Sequence, residues 1–338
     1  MAKTSKELEI SKLVPNYFSN TEIIPTDIFA LDFILRGGLE LGSSVQIVGE
    51  SGCGKSTLAL QLAKNICSQG KKVIYIDSER SISNELIDSM RLKEHLNNEF
   101  IYIRESTFTN VEKYLDMLIH SNLEISCIIV DSLANLINEG FLEKDGISIT
   151  TKNTSYSSVP LVHFMNKYKA LASSKQFALV LINHYRQKVD MGKGKVAGIG
   201  TIQKEYGSKN TKYNSDVILC MKSIKSTSKN INFKGMPIDN GTELEFEVVK
   251  SNKSAPNESI PFFLMYGTGI SNIVNYIYAL INIGIIKQNV SYFSLECNNV
   301  KLQEQGLMKL YNKILELDID LTTYEDKIIN YYNNPVTK

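Results

Sequence analysis

The sequence predicts an α/β protein: a mainly parallel sheet with helices on both faces, antiparallel strands at one edge, and a small α/β unit after it. Three observations carry this reading. Short apolar runs alternate with helix-period stretches from residue 45 to residue 182. One of those runs ends in a glycine-rich turn that opens a helix. After Asp216 the apolar runs are separated by polar turns too short to hold crossover helices.

Residues 45–48 form the first buried-strand run. Leu58, Leu62 and Ile66 share one face of the helix behind it, and Gly70 stops that helix. Residues 73–76, 100–103, 127–130 and 178–182 repeat the strand type, with helical stretches near 111–119 and 159–172 between them. Runs that are apolar throughout suit strands covered on both faces. Residues 217–221, 244–249 and 262–265 are then expected to extend the sheet as an antiparallel edge. Gly267, Thr268 and Gly269 read as a joint, and 271–332 holds two helix signals around a short polar strand region. The expected units are 1–22, a core at 23–269, and a small domain at 270–338.

Composition narrows the function. A chain of 338 residues implies one large core with a satellite, or two domains. Apolar residues at 43% and charged residues at 22% exclude a disordered chain. The net charge is only +1, so any nucleic-acid site must be a local patch. Five cysteines lie far apart with no CxxC pair, which argues against a metal cluster or a disulfide framework and fits a reducing cytoplasm. Residues 1–22 are polar and lack a signal core, and the longest apolar run, 277–286, is about half a bilayer span. No membrane is expected among the partners.

The strongest motif is Gly49-Glu50-Ser51-Gly52-Cys53-Gly54-Lys55-Ser56, followed by Thr57, a full match to G-x4-G-K-[ST] between a strand and a helix. Glycines let such a loop turn its N–H groups inward, and the helix N-terminus adds a positive dipole for phosphate. Lys55 is placed to reach the β- and γ-phosphates and Ser56 to ligate Mg²⁺. Asp131 ends the apolar strand 128–130, where a carboxylate can hold Mg²⁺ beside the loop. Glu79 follows the strand after the loop's helix. By spacing it is either the acid that polarises an attacking water or an exposed strand-end acid.

Several blocks together resemble the RecA recombinase family. They are 49–57, Tyr75-Ile76-Asp77-Ser78-Glu79, 128–132, Leu181-Ile182-Asn183-His184, the stretch 248–256, and Tyr266-Gly267-Thr268-Gly269-Ile270. Phage-encoded members of the UvsX type are the most similar, because Asn183-His184 stands where bacterial members carry Asn-Gln. The resemblance implies an ATP- and Mg²⁺-dependent helical filament on single-stranded DNA. That homo-oligomer would pair the strand with double-stranded DNA, in recombination and repair, in the cytoplasm of a host cell. Single-strand-binding and loader proteins are further expected partners.

The resemblance also assigns roles. Glu79 matches the family's catalytic glutamate, and Asn183 and His184 match the sensor between γ-phosphate and DNA loop. An imidazole in place of an amide there implies pH-dependent coupling of DNA binding to ATP. Lys250 matches a lysine that acts across the subunit boundary. Its second partner is out of register, with Asn252 in the slot and Lys253 one residue late. Tyr213, Lys212 and Phe18 match interface positions, and Phe18 could equally pack on its own core. Leu86 replaces an aromatic that stacks on adenine, which predicts looser base selectivity. Cys53 predicts sensitivity to thiol reagents.

Residues 185–234 carry eleven Lys/Arg against Asp190, Glu205 and Asp216, a local charge of +8. Arg186, Lys188, Lys193, Lys195, Lys204 and Lys209 are the candidate DNA contacts. Four glycines between 192 and 200 let backbone approach a phosphate chain closely. In the family this segment is the second DNA loop, and 138–158 is the first by position. A ring-forming helicase shares the same ATPase core but is expected to carry a large N-terminal domain. A nucleotide-switched regulatory protein would not need the +8 segment.

Overall fold

Strands that are apolar on both faces need helices on both faces, and the chain supplies them in alternation. The computed structural model describes residues 21–138, 154–188, 202–205, 209–224, 241–265, 268–297 and 300–333, with backbone alone for 154–158, 185–188, 202–205, 209–211 and 333. β1 (Ile23–Ile24) and β2 (Leu39–Glu40) pair antiparallel around α1 (Phe29–Leu35). Then come β3 (Ser44–Gly49), α2 (Lys55–Ser68), β4 (Lys72–Asp77), α3 (Asn84–Ser89), β5 (Phe100–Ile103), α4 (Phe108–Ile119), β6 (Ile125–Asp131), α5 (Thr154–Lys175) and β7 (Ala178–Lys188). The edge and the C-terminal unit follow: β8 (Ile202–Glu205), α6 (Lys209–Asn214), β9 (Val217–Ser223), β10 (Gly241–Lys250), β11 (Ser259–Met265), β12 (Gly269–Ile270), α7 (Asn272–Asn282), β13 (Lys287–Asn289), β14 (Tyr292–Cys297), β15 (Val300–Gln305), α8 (Leu307–Glu316) and α9 (Glu325–Asn333).

Among the described residues the main sheet has ten strands, in the order β12-β11-β10-β9-β3-β7-β6-β4-β5, with β8 beside β7. The five pairings from β9 to β5 are parallel, and β9 to β12 pair antiparallel. The expected fold class is therefore observed, with one adjustment. Residues 217–221 were expected in the antiparallel edge, yet β9 runs parallel to β3 and only its other side is antiparallel.

Period-2 alternation sorts the strand residues onto two cores. Val73, Tyr75, Cys127 and Ile129 face α2, where Leu58, Leu62 and Ile66 meet them. Ile74, Ile76, Ile128 and Val130 face the opposite side, under Val111 and Leu115 of α4 and Phe164 and Tyr168 of α5. Each fully buried Val, Leu or Ile stabilises by roughly 1.5–3 kcal/mol, so this sandwich clamps the strand ends that carry the polar residues.

The C-terminal unit has three helices rather than the two expected, arranged about the three-stranded sheet β13-β14-β15. Its apolar residues Ile277, Leu280, Leu295, Leu310 and Ile328 belong to the same cluster as the α2 side of the main sheet. Phe29 and Tyr276 join the two, with ring centroids 4.6 Å apart. Residues 154–158, drawn within the first DNA loop from the sequence, start α5 instead. The remainder of that segment, 139–153, lies outside the described residues, as do Phe18, Lys193 and Lys195. No helix among the described residues is long and apolar enough to cross a membrane.

Candidate functional site

Parallel register gathers the candidate residues at one edge of the sheet. Gly49 on β3 lies opposite His184 on β7, and Asp77 on β4 lies opposite Asp131 on β6. The phosphate loop leaves β3 at this edge and enters α2 at Lys55. Two of its glycines are required by space. A Cβ on Gly49 would stand 2.6 Å from the Met221 carbonyl oxygen and 2.9 Å from Cys53 Sγ. Gly54 has φ +90°, and a Cβ there would press on Leu264 at 3.0 Å.

Lys55 is 4% exposed, a rare position for an ammonium. Its Nζ donates to the carbonyls of Gly49 (3.1 Å) and Glu50 (2.6 Å) and lies 3.7 Å from Cys53 Sγ. These partners are dipoles and a thiol, so the buried positive charge still calls for an anion. Glu50, Ser51 and Gly52 are exposed around it, and Ser56 and Thr57 are half-buried. Burial pushes the Cys53 thiol above its ordinary range, against the pull of Lys55. Thiol reactivity follows the thiolate, so the structure works against the reagent sensitivity expected from sequence.

Asp131 is 1% exposed. Its Oδ2 accepts the Tyr75 hydroxyl at 2.8 Å, while Oδ1 is buried with no hydrogen-bond partner among the described residues. Burial raises its pKa; hydrogen bonds from Ser56 and Tyr75 act in the opposite direction. A buried carboxylate oxygen lacking a donor, next to a helix-start hydroxyl, fits a divalent cation. Together with the anion-seeking Lys55, the donor set fits Mg²⁺ and a nucleotide's phosphates.

Glu79 sits between Ser132 and His184. Its Oε1 accepts from Ser132 Oγ at 3.0 Å and meets His184 Nε2 at 2.6 Å. The His184 bond holds the Glu79 carboxyl below the usual carboxylate range, burial opposes this, and Ser132 adds to the lowering. Of the two readings left by spacing, the free strand-end acid is the one this geometry does not match. Asn183 is fully buried and its Oδ1 accepts the His184 backbone N–H at 2.9 Å. Ser78 Oγ donates to the Ser132 carbonyl at 2.6 Å and accepts its N–H at 2.8 Å, tying β4 to β6 below the acid.

Sequence reasoning missed Tyr75, Ser78 and Ser132 as supports. The signal for Tyr75 is its place two residues before Asp77, hence on the same strand face, in a run otherwise aliphatic.

The residues expected at a subunit boundary lie elsewhere. Lys250 Nζ donates to the carbonyls of Lys212 (2.9 Å) and Ser215 (2.5 Å) of its own chain. Register shifts between Val248 and Lys250, and 251–254 have already left the strand. A one-residue offset reverses side-chain direction only within a strand, so the late position of Lys253 does not by itself turn it away; its side chain pairs with Glu40 at 2.7 Å. Tyr213 is 74% exposed and Lys212 is exposed beside it. Leu86 is half-buried against the main core. Arg186 and Lys188 on β7 run antiparallel to Lys204 on β8, which brings the two flanks of 189–201 side by side; Lys209 starts α6.

A family profile described as RecA N-terminal domain matches residues 3–271. The chain belongs to the RecA family. Among similar proteins, Protein RecA of Clostridium novyi (strain NT) is 26% identical over 329 residues, 96% of this chain and 87% of that protein. Protein RecA of Ehrlichia ruminantium (strain Gardel) is 26% identical over 306 residues, covering 90% and 80% respectively. Protein RecA of Bifidobacterium breve is 26% identical over 278 residues, and this RecA-family chain spans only 66% of its length.

Proposed function

We propose that this chain is a DNA-dependent ATPase that forms helical filaments on single-stranded DNA and catalyses homologous pairing and strand exchange. The observation that carries the reading is the convergence of Lys55, Asp131 and the Glu79–His184 pair on one sheet edge, within a RecA-family core. Gly49–Thr57 would hold the phosphates through backbone N–H groups and Lys55. Ser56 and Asp131 would hold Mg²⁺. Bound ATP and Mg²⁺ would supply a cleavable phosphoryl bond and a cation to neutralise its charge.

The chain's own residues then divide the work. Both of the hydrogen bonds described for Glu79 fall on Oε1, which leaves Oε2 to accept a proton from water. His184 shares that carboxylate and lies within β7, whose continuation is the basic segment. A change at the imidazole on nucleotide binding would thus be carried along one strand to the proposed DNA loop. Arg186, Lys188, Lys193, Lys195, Lys204 and Lys209 would track the DNA backbone electrostatically. Lys250, with Lys212, Tyr213, Lys253 and Phe18, would complete the site of a neighbouring subunit. Residues 1–22 would serve oligomerisation, 23–269 the ATPase and DNA-binding core, and 270–338 a contact to duplex DNA. Kinship to phage recombinases rests on Asn183-His184, and a cytoplasmic location on the composition.

Negative-stain electron microscopy on single-stranded DNA, with and without a non-hydrolysable ATP analogue, tests this. Continuous helical filaments that require nucleotide are expected. Closed rings would move the chain to the helicase class, and dispersed particles on bare DNA would remove the DNA role of the basic segment.

A further inference from the structure

Asp77 has no part in the scheme above, yet it is built like Asp131. It is fully buried, and it lies opposite Asp131 in parallel register, so both side chains leave the sheet on the face covered by α2. Each carboxylate has one oxygen held by a tyrosine hydroxyl. Tyr102 donates to Asp77 Oδ2 at 2.6 Å, as Tyr75 donates to Asp131 Oδ2 at 2.8 Å. In each the other oxygen, Oδ1, is buried with no hydrogen-bond partner among the described residues. Two neighbouring buried carboxylates repel, and two orphaned oxygens each forgo a hydrogen bond. Arg104 pairs with Asp77 only loosely: its Nε stands 3.7 Å from the already occupied Oδ2, with the side chain 47% exposed. Arg104 spends its NH2 on the Ile82 carbonyl at 2.6 Å.

From this geometry we infer that Asp77 and Asp131 jointly hold one hard divalent cation through their Oδ1 atoms. Asp77 acts directly or through a bound water, and the two tyrosines fix the carboxylates' orientation. Oxygen-only donors favour Mg²⁺ or Mn²⁺, which take one or two carboxylates plus water and phosphate oxygens. No cluster of three or more His, Cys, Asp or Glu side chains among the described residues has the geometry of a metal site. The rest of the shell must therefore come from water, the Ser56 hydroxyl and the nucleotide's phosphates. The inference rests on the nucleotide reading of the site, and adds a second carboxylate to it.

Mn²⁺ affinity, followed by the electron paramagnetic resonance signal of free Mn²⁺, tests it on the full chain with and without ADP. Wild type should take up one Mn²⁺ per chain, and Asp131→Asn should lose it. Asp77→Asn should weaken it by about 10- to 100-fold. Arg104→Ala removes the competing cation and should leave Mn²⁺ affinity unchanged or tighter. A purely structural Asp77, serving only to anchor Arg104, would make those last two variants behave alike. Unchanged Mn²⁺ affinity in Asp77→Asn, an equal loss in Arg104→Ala, or no uptake by wild type would each overturn the inference. Should Asp77→Asn not fold, Tyr102→Phe decides: it keeps the charge, frees its orientation, and should weaken Mn²⁺ by up to about tenfold, no change counting against the inference. ADP binding in EDTA is read separately. Its absence from every protein would refute the nucleotide reading, while the ranking of Mn²⁺ affinities in the nucleotide-free chain still judges Asp77.

Discussion

The edge of the sheet at Gly49, Asp77, Asp131 and His184 and the surface at Lys212, Tyr213 and Lys250 carry the same kinds of residue under opposite conditions. At the sheet edge, charged groups are buried and held in place by tyrosine and serine hydroxyls, backbone carbonyls and one histidine. At the outer surface the tyrosine points into solvent, and the Lys250 ammonium rests on two carbonyls of its own chain. One region is assembled by a single chain. The other presents its tyrosine and lysines at the surface, with Lys250 held by backbone carbonyls. A buried ammonium or carboxylate is tolerated only with partners or a ligand, so the first region defines a ligand site. Exposed lysines are stable in water and define nothing alone. For that reason the buried edge fits a ligand on its own, whereas the outer surface needs a second chain to give its lysines a role.

The comparison breaks most readily at Glu79. Glu79→Gln should cut DNA-stimulated ATP turnover by about 10²- to 10⁴-fold while leaving nucleotide affinity within about twofold, measured by steady-state hydrolysis and equilibrium titration. A variant that hydrolyses normally would return Glu79 to the role of a strand-end acid. Next in size is Lys55→Ala. Removing the buried ammonium should weaken ATP binding by at least about 100-fold, equivalent to about 2.7 kcal/mol, and with it nucleotide-dependent filament formation. Unaltered affinity would mean the cation serves only its own loop.

Asp32 offers a measure of what burial without a ligand does. Burial raises its pKa to about 6, and the hydrogen bond from the Thr26 N–H only partly opposes this. The folded state therefore prefers the protonated form. Stability is highest below the ordinary aspartate range near 3.9 and declines as pH rises towards about 6, levelling above it. Asp32→Asn should raise stability by roughly 2 kcal/mol at pH 7.5 and change little near pH 4, as read by urea unfolding at the two pH values. Equal effects at both would show that the carboxylate is solvated in the folded state.

Smaller effects sharpen the comparison. His184→Gln should flatten the pH dependence of DNA-stimulated hydrolysis between about pH 6 and 8; identical profiles would uncouple the imidazole from the DNA response. Glu79 itself, held below the usual range by His184, keeps its stabilising charge above about pH 4.3 and loses it only as pH falls through its lowered value. It therefore contributes nothing to that pH 6–8 profile. Neutralising Lys193 and Lys195 should reduce the salt slope of single-strand binding by under about one unit per lost phosphate contact. Weaker binding at constant slope would make those lysines structural.

Much of the fold was legible in residue patterns. Alternating apolar runs gave the parallel centre because a strand covered on both faces leaves no polar positions. The boundary of the antiparallel edge was less so, since an apolar strand such as Val217–Ser223 reads the same whichever way its neighbours run. The third C-terminal helix was hidden by its short length and polar character.

By itself, then, the sequence determined the alternating α/β chain, the glycine-rich loop between strand and helix, and the acids at the strand ends. These depend on local spacing and periodicity, which neighbouring residues dictate, whereas the space that excludes a side chain at Gly49 and Gly54 is closed by Met221 and Leu264 from distant strands. Tertiary structure alone decided that Asp77 stands beside Asp131, that Tyr75 and Tyr102 each hold one of them, and that His184 meets Glu79. Those contacts join residues 25 to 105 positions apart. Strand order and register bring them together, and neither is written in any one segment.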